Sequence, residues 1–371
     1  MTAPQIIATI GHGSHHDDLV RAIVDAGADV LRYNAATMKT LDGTVERIVG
    51  ARRALADRPT SPGPAAPRTA VPIMVDLPFP RRKQRLHTFR GAEHDVPGGK
   101  TFRFVCRPAL QTGPDHVLVE VPTFDGVVTP GEVFVIGDGE LAFRVTEVVD
   151  GDRFDAVALT KWYLSDGKSI HLARVPTRAV DAARYVAEVA AAFGGVRPEY
   201  LAFSFVSGAR DMTRIRSLLA PYAAAAHPPA NGPDVEAGWR PKLVAKIETS
   251  EAVRNIDEIL DASDLVLFAR GDLAIQAPYE LLGIYQKHVV ARARARDVPV
   301  IIATQVLETT MTRYVPNRSE VLDLTNLVLD GAWGVLLAKE TSAPGNPVYP
   351  VTVAKRIIDQ VVASGLPGKP S

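Results

Sequence analysis

Lys246, Glu248 and Asp272 stand where two apolar runs stop, and together they have the makings of a site. Leu243-Val244-Ala245 leads into Lys246-Ile247-Glu248, and Leu265-Val266-Leu267-Phe268-Ala269 leads into Arg270-Gly271-Asp272. Two carboxylates can hold a hard divalent cation through oxygen, and an ammonium beside them can neutralise an oxyanion. Taken singly, Glu248 and Asp272 would pass for solvated charges at strand ends. Lys246 would not. Between Ala245 and Ile247 a lysine is costly to bury unless it is paired, so its position points to chemistry rather than to surface charge.

For these groups to meet, the runs that carry them must lie side by side. Between the two runs Ala252, Val253, Ile256, Ile259 and Leu260 recur at helical spacing, which predicts strand, helix, strand in a parallel unit whose carboxyl ends share one mouth. The same rhythm extends over the chain. Strands are predicted at 5–10, 28–33, 73–76, 201–205, 243–247, 265–269, 299–303 and 333–337, with amphipathic helices between them. After the third strand the grain changes. The segment 84–174 alternates apolar and polar residues between turn signals such as Asp125-Gly126, Pro130-Gly131 and Asp150-Gly151, and is expected to be a small all-β insert. The flanking parts, 1–83 and 175–371, hold roughly 280 residues, close to the roughly 250 of an α/β (β/α)8 TIM barrel. The polar outliers then fall at carboxyl ends: Arg32 and Asn34, Asp76, Ser204, Lys246 and Glu248, Asp272, Thr304 and Glu340. That is the face where barrel enzymes keep their sites.

Lysine plus arginine and aspartate plus glutamate each number 42, so no global field favours nucleic acid or an acidic membrane, and small-molecule partners are expected. The single cysteine, Cys106, cannot form an internal disulfide, and the opening MTAPQIIATIG lacks the pattern of a secretory signal; a cytoplasmic address is expected. No apolar run approaches the length of a membrane span.

The chain resembles pyruvate kinase. The resemblance is carried by ATIG ending at Gly11, ADVLRYN around Arg32, VAKIE at Lys246, ARGDLAIQ at Asp272, IIATQVLE at Thr304, PNRSEVLD at Arg318 and LVLDGAWGVLLAKET at Glu340. Within the β insert, VIGDGEL and GKSIHL look like the phosphate-side loops of that family's lid. The resemblance implies that Glu248 and Asp272 bind Mg²⁺ or Mn²⁺. It implies that Lys246 stabilises the transferring phosphoryl group, with Arg32 and Thr304 as further catalytic residues. The substrate would be held by Ala269, Arg270, Gly271, Asp272 and Thr304, with Ser204 beside them, and nucleotide and phosphate by Arg32, Asn34, Lys83 and Lys168. The implied substrates are phosphoenolpyruvate or pyruvate with ADP or ATP. The family's C-terminal regulatory domain has no counterpart in this sequence, so neither control by sugar phosphates nor a tetramer built on that domain is expected. A barrel-mediated homodimer is.

Departures from the family pattern gather on one side. Asn-Phe-Ser-His is replaced by Asn34-Ala35-Ala36-Thr37, and Asp-Thr-Lys-Gly-Pro-Glu-Ile-Arg by Asp76-Leu77-Pro78-Phe79-Pro80-Arg81-Arg82-Lys83. Ala36 and Leu77 thereby remove two hydroxyl-bearing residues at the family's potassium site, while Arg81 brings a fixed guanidinium, so potassium is not expected to be required. Ser-Gly-Glu-Thr has become Ala338-Lys339-Glu340-Thr341, and the arginine after the fourth strand is Ser207. The pyruvate side is retained and the nucleotide and cation side rewritten. Three functions follow in descending order: Mg-dependent phosphoryl transfer between an enol phosphate and a nucleoside diphosphate; a metal-dependent lyase or aldolase acting through a pyruvate enolate; and a non-catalytic binding relative.

Overall fold

The computed structural model describes residues 3–36, 40–57, 70–82, 84–137, 139–172, 178–179, 181–224 and 238–366. The chain forms two compact units. One comprises Met1–Pro80, Val180–Leu273 and Glu280–Ser371, and the other Arg81–Ala179 with Ala274–Tyr279.

In the first unit, parallel strands Gln5–Thr9, Val30–Asn34, Ile73–Arg82, Tyr200–Ser204, Lys242–Ile247, Leu265–Ala269, Val300–Ala303 and Gly334–Leu337 pair in sequence order. The last pairs back to the first through Gln5↔Gly334 and Ala8↔Leu337, which closes the barrel. Alternate residues point inward, and Ile7, Val30, Met74, Ala202, Val244, Leu267 and Ile301 fill the interior together. The period of two then decides what stands at the mouth. Continuing the inward set by one step gives Thr9, Arg32, Asp76, Ser204 and Lys246, so the register that packs the barrel also gathers these polar groups on one side.

Two elements here differ from expectation. The third strand does not stop at Asp76 but runs on to Arg82, and its last two residues pair antiparallel with Arg178–Ala179. Its prolines sit by a register shift between Phe203 and Ser204, where a missing N–H is tolerated. The helix expected as one piece over Ala252–Leu260 is two, Ser250–Arg254 and Ile256–Ala262, joined at Asn255, whose side-chain amide donates to Ser207 O at 2.8 Å. Elsewhere the helix ends follow their local chemistry. Asp181 caps Ala182–Phe193 through the Ala183 and Arg184 N–H groups, and Gly331 (φ 84°) ends Arg318–Asp330 in the left-handed conformation that glycine adopts freely.

The second unit carries a seven-stranded sheet around stacked and edge-on phenylalanines, including Phe102, Phe104, Phe134, Phe143 and Phe154. Thr101–Val105 is a strand beyond those expected, and it pairs with both Arg153–Ala158 and His116–Val119. The run expected as one strand over Phe154–Trp162 breaks after Ala158, and Trp162–Leu164 pairs instead with His94–Val96. Among the described residues no helix is long and apolar enough to cross a membrane.

Candidate active site

The centre of the mouth is a buried charge network drawn from the first five strands. Lys246 Nζ donates to Ser204 Oγ at 3.1 Å and lies 3.2 Å from Asp76 Oδ1 and 2.9 Å from Glu248 Oε1. Asp76 also binds Arg32, whose Nε and Nη2 donate to Oδ2 at 3.2 and 2.7 Å, while Arg32 Nη1 donates to Thr9 Oγ1 at 2.9 Å. Ser204 Oγ in turn donates to Leu77 O at 3.0 Å. Asp76 and Glu248 are 2% and 1% exposed, so their charges are answered by these neighbours and not by water.

The pKa shifts follow from that crowding. Burial pulls the Lys246 ammonium down, but Asp76 and then Glu248 beside it prevail and hold it above its ordinary range. Burial likewise opposes ionisation of Asp76, yet Lys246 and Arg32 keep its carboxyl below the usual carboxylate range. Glu248 goes the other way. Burial pushes it up to about 7 against the pull of Lys246, with the negative charges of Asp272 and Asp76 adding to the rise.

Asp76, Glu248 and Asp272 all act on the Lys246 ammonium, with Arg32 the second cation near it, so carboxylates outnumber cations three to two. An oxygen-rich pocket short of positive charge fits a hard divalent cation. Among the described residues no three His, Cys, Asp or Glu side chains form a complete metal cage. Glu248 and Asp272 would therefore hold such a cation with water and substrate oxygens completing its shell, the usual arrangement for Mg²⁺.

The turn after each neighbouring strand is shaped to serve this centre. Phe205 (φ 54°) directs its N–H onto Glu248 Oε2 at 2.6 Å, fixing the carboxylate from the fourth strand. Asp272 lies in the short helix Arg270–Gln276 that follows Ala269. Thr304 (φ 75°) lies directly after the seventh strand, and its Oγ1 accepts from the Gly271 N–H at 3.3 Å. A Cβ on Gly271 would stand 2.9 Å from Thr304 Cγ2, so only glycine allows the two turns to approach this closely. Gly271→Ala is accordingly expected to cost about 1–3 kcal/mol of stability and to lower activity through displacement of Thr304. Thermal melting and a rate assay check both; an unchanged rate would show that the approach does not matter to the site.

Other expected site residues take different places. The Arg270 guanidinium turns away from the charge network: it donates to Thr304 O (2.9 and 2.7 Å), Gln305 O (3.1 Å) and Asp323 Oδ2 (2.5 Å). Asn34 Oδ1 accepts from the Ala36 N–H at 3.1 Å. Glu340, expected at the mouth, is 3% exposed and faces backbone N–H groups. In the second unit, Lys168 Nζ lies 3.6 Å from Glu140 Oε1 beside Gly137. Lys83 and the side chain of Arg81 lie outside the described residues. Asp76 was expected at the mouth, at the carboxyl end of its predicted strand, but without a role; Thr9, a small hydroxyl inside an apolar run, carried almost no signal and was missed.

A sequence model described as the pyruvate kinase barrel domain matches residues 1–353. A pyruvate kinase of Methylorubrum extorquens is 31% identical over 367 residues, covering 98% of this chain and 69% of that protein. One of Agrobacterium vitis is 30% identical over 362 residues, covering 96% of this chain and 67% of that protein. A crystal structure of a pyruvate kinase from Cryptosporidium parvum superposes with a TM-score of 0.77 at 24% identity, covering 97% of this chain and 69% of that one, a likeness of fold.

Proposed function

Because this chain belongs to the pyruvate kinase family and is a phosphotransferase of that kind, we propose that it moves a phosphoryl group between phosphoenolpyruvate, or a related enol phosphate, and a nucleoside diphosphate, with Mg²⁺ or Mn²⁺ as cofactor. The observation that carries the proposal is the Lys246 ammonium held between Asp76 and Glu248. Enolate formation alone needs a cation at the pyruvate oxygens; an additional buried, permanently charged ammonium suits the negative charge shared among donor, acceptor and transferring group. A divalent cation at Glu248 and Asp272 would supply Lewis-acid stabilisation of enolate and phosphoryl oxygens. The Thr304 hydroxyl and the backbone N–H groups around Ala269, Arg270, Gly271 and Asp272 hold the substrate carboxylate, and Ser204 keeps Lys246 in place. Arg32, oriented by Asp76 and Thr9, serves phosphate, with Asn34, Lys83 and Lys168 as further nucleotide and phosphate contacts.

The test is to incubate the protein with Mg²⁺, phosphoenolpyruvate and ADP and to follow pyruvate. Solvent deuterium entering the methyl group of pyruvate, with no transfer to any nucleoside diphosphate, would replace this reading with the enolate-only lyase.

Potassium is not required in this proposal. The Asp76 carboxylate is already bound by Arg32 and Lys246, and Ala36 and Leu77 offer no side-chain oxygen beside it. Turnover in Na⁺ and K⁺ buffers is expected to agree within about twofold, since a carboxylate already paired with a guanidinium and an ammonium leaves a monovalent ion little to neutralise. A saturable K⁺ requirement would refute this. A homodimer, the commonest closed assembly, and a cytoplasmic location complete the proposal.

A further inference from the structure

Two consecutive residues without glycine's freedom, Thr304 (φ 75°) and Gln305 (φ 54°), occupy the left-handed region directly after the seventh strand. Such a turn persists only when its surroundings over-determine it. Its carbonyls are held from one side, where the Arg270 guanidinium takes Thr304 O and Gln305 O. Its N–H groups are held from the other. Glu340 Oε1 accepts from Val306 N at 3.1 Å and Leu307 N at 3.2 Å, while Oε2 accepts from Ala338 N at 2.7 Å. One buried carboxylate, 3% exposed, therefore ties the turn after the seventh strand to the turn after the eighth. Hydrogen bonds to an ionised acceptor are the stronger kind, and three of them from rigid backbone leave the carboxylate little freedom.

We propose that Glu340 is a positioning residue for Thr304: its carboxylate fixes the 304–307 turn so that the Thr304 hydroxyl sits beside Gly271 N–H, where substrate is held. The proposal rests on the reading that Thr304 contacts the substrate. The bonds Glu340 accepts all come from backbone N–H groups. Its effect passes through backbone to one hydroxyl, and a displacement of that hydroxyl of about 1 Å is enough to cost on the order of 10²-fold in rate.

The experiment is a double-mutant cycle with phosphoenolpyruvate, ADP and Mg²⁺, combined with Mn²⁺ titration calorimetry. Glu340→Gln presents an amide NH₂ toward groups that need an acceptor; Glu340→Asp keeps the charge but withdraws it by one methylene, and serves if the first variant folds poorly. Each is expected to lower kcat by about 10- to 10²-fold with Mn²⁺ affinity unchanged, because Glu248 and Asp272 follow the fifth and sixth strands while Glu340 accepts from backbone after the seventh and eighth. In a Thr304→Ala background the same substitutions are expected to cost less than about threefold more, the mark of residues acting as one unit. If the losses multiply in the double mutants, or Mn²⁺ affinity falls in parallel with rate, Glu340 is a structural anchor only and the proposal is overturned. If the parent protein transfers no phosphoryl group, or Thr304→Ala leaves transfer intact, the functional reading fails first and the positioning role falls with it.

Discussion

Lys246→Met is expected to lower phosphoryl transfer by about 10²- to 10³-fold or more, the usual cost of losing one preorganised electrostatic donor. Methionine matches the length of the lysine stem and removes only its charge and donors. What remains is informative. Ser204 Oγ loses its ammonium donor and Asp76 keeps Arg32, but Glu248 is left buried with no cation except a bound metal. Breaking a buried pair from one side typically costs about 3–5 kcal/mol, so the metal-free variant should melt earlier than the parent, and Mn²⁺ should recover more stability in the variant than in the parent. Mn²⁺ affinity itself should be tighter, since the ammonium no longer competes for Glu248. Rate, melting with and without Mn²⁺, and deuterium exchange into pyruvate should be measured on the same protein. A rate within tenfold of the parent would remove Lys246 from the chemistry.

Asp272→Ala is expected to abolish tight binding of Mn²⁺ and to lower turnover by about 10³-fold or more, because Lewis-acid stabilisation amounts to several kcal/mol of barrier. The reason lies in the donor set. With Glu248 and Asp272 as the side-chain ligands, losing either leaves one carboxylate, and a hard cation that keeps most of its own water gains little from that. Glu248→Gln should behave alike, with one difference. It replaces one of the two acceptor oxygens by an NH₂, so either the Phe205 N–H or the Lys246 ammonium loses its acceptor, and stability should change as well as metal affinity. Calorimetry with Mn²⁺ decides the matter: an Asp272→Ala protein that binds as tightly as the parent would move the metal elsewhere.

Much of this was determined by the sequence alone. An apolar strand that ends in lysine and glutamate, repeated against strands ending in arginine, aspartate and threonine, already requires a mouth where such groups pair, because a lysine inside Val244-Ala245-Lys246-Ile247 cannot be left buried alone. The rhythm of eight strands and the parity that points Arg32, Asp76, Ser204 and Lys246 inward follow from periods of two and 3.6 that any reader of the chain can count. Family motifs carried the roles further than spacing could.

Only the tertiary structure decided who pairs with whom. Asp76 lies 170 positions from Lys246 in the chain and 3.2 Å from it in the fold, a contact set by barrel closure and by nothing local. Arg270 and Glu340 look like mouth charges in the sequence; the fold turns both onto the backbone of the 304–307 turn, since two adjacent left-handed residues must be held by something and these are the groups that reach. The third strand overruns Asp76, and the helix after the fifth strand breaks at Asn255, for the same reason: a long-range partner, Arg178–Ala179 in one case and Ser207 O in the other, outweighs a local preference worth less than about 1 kcal/mol per residue.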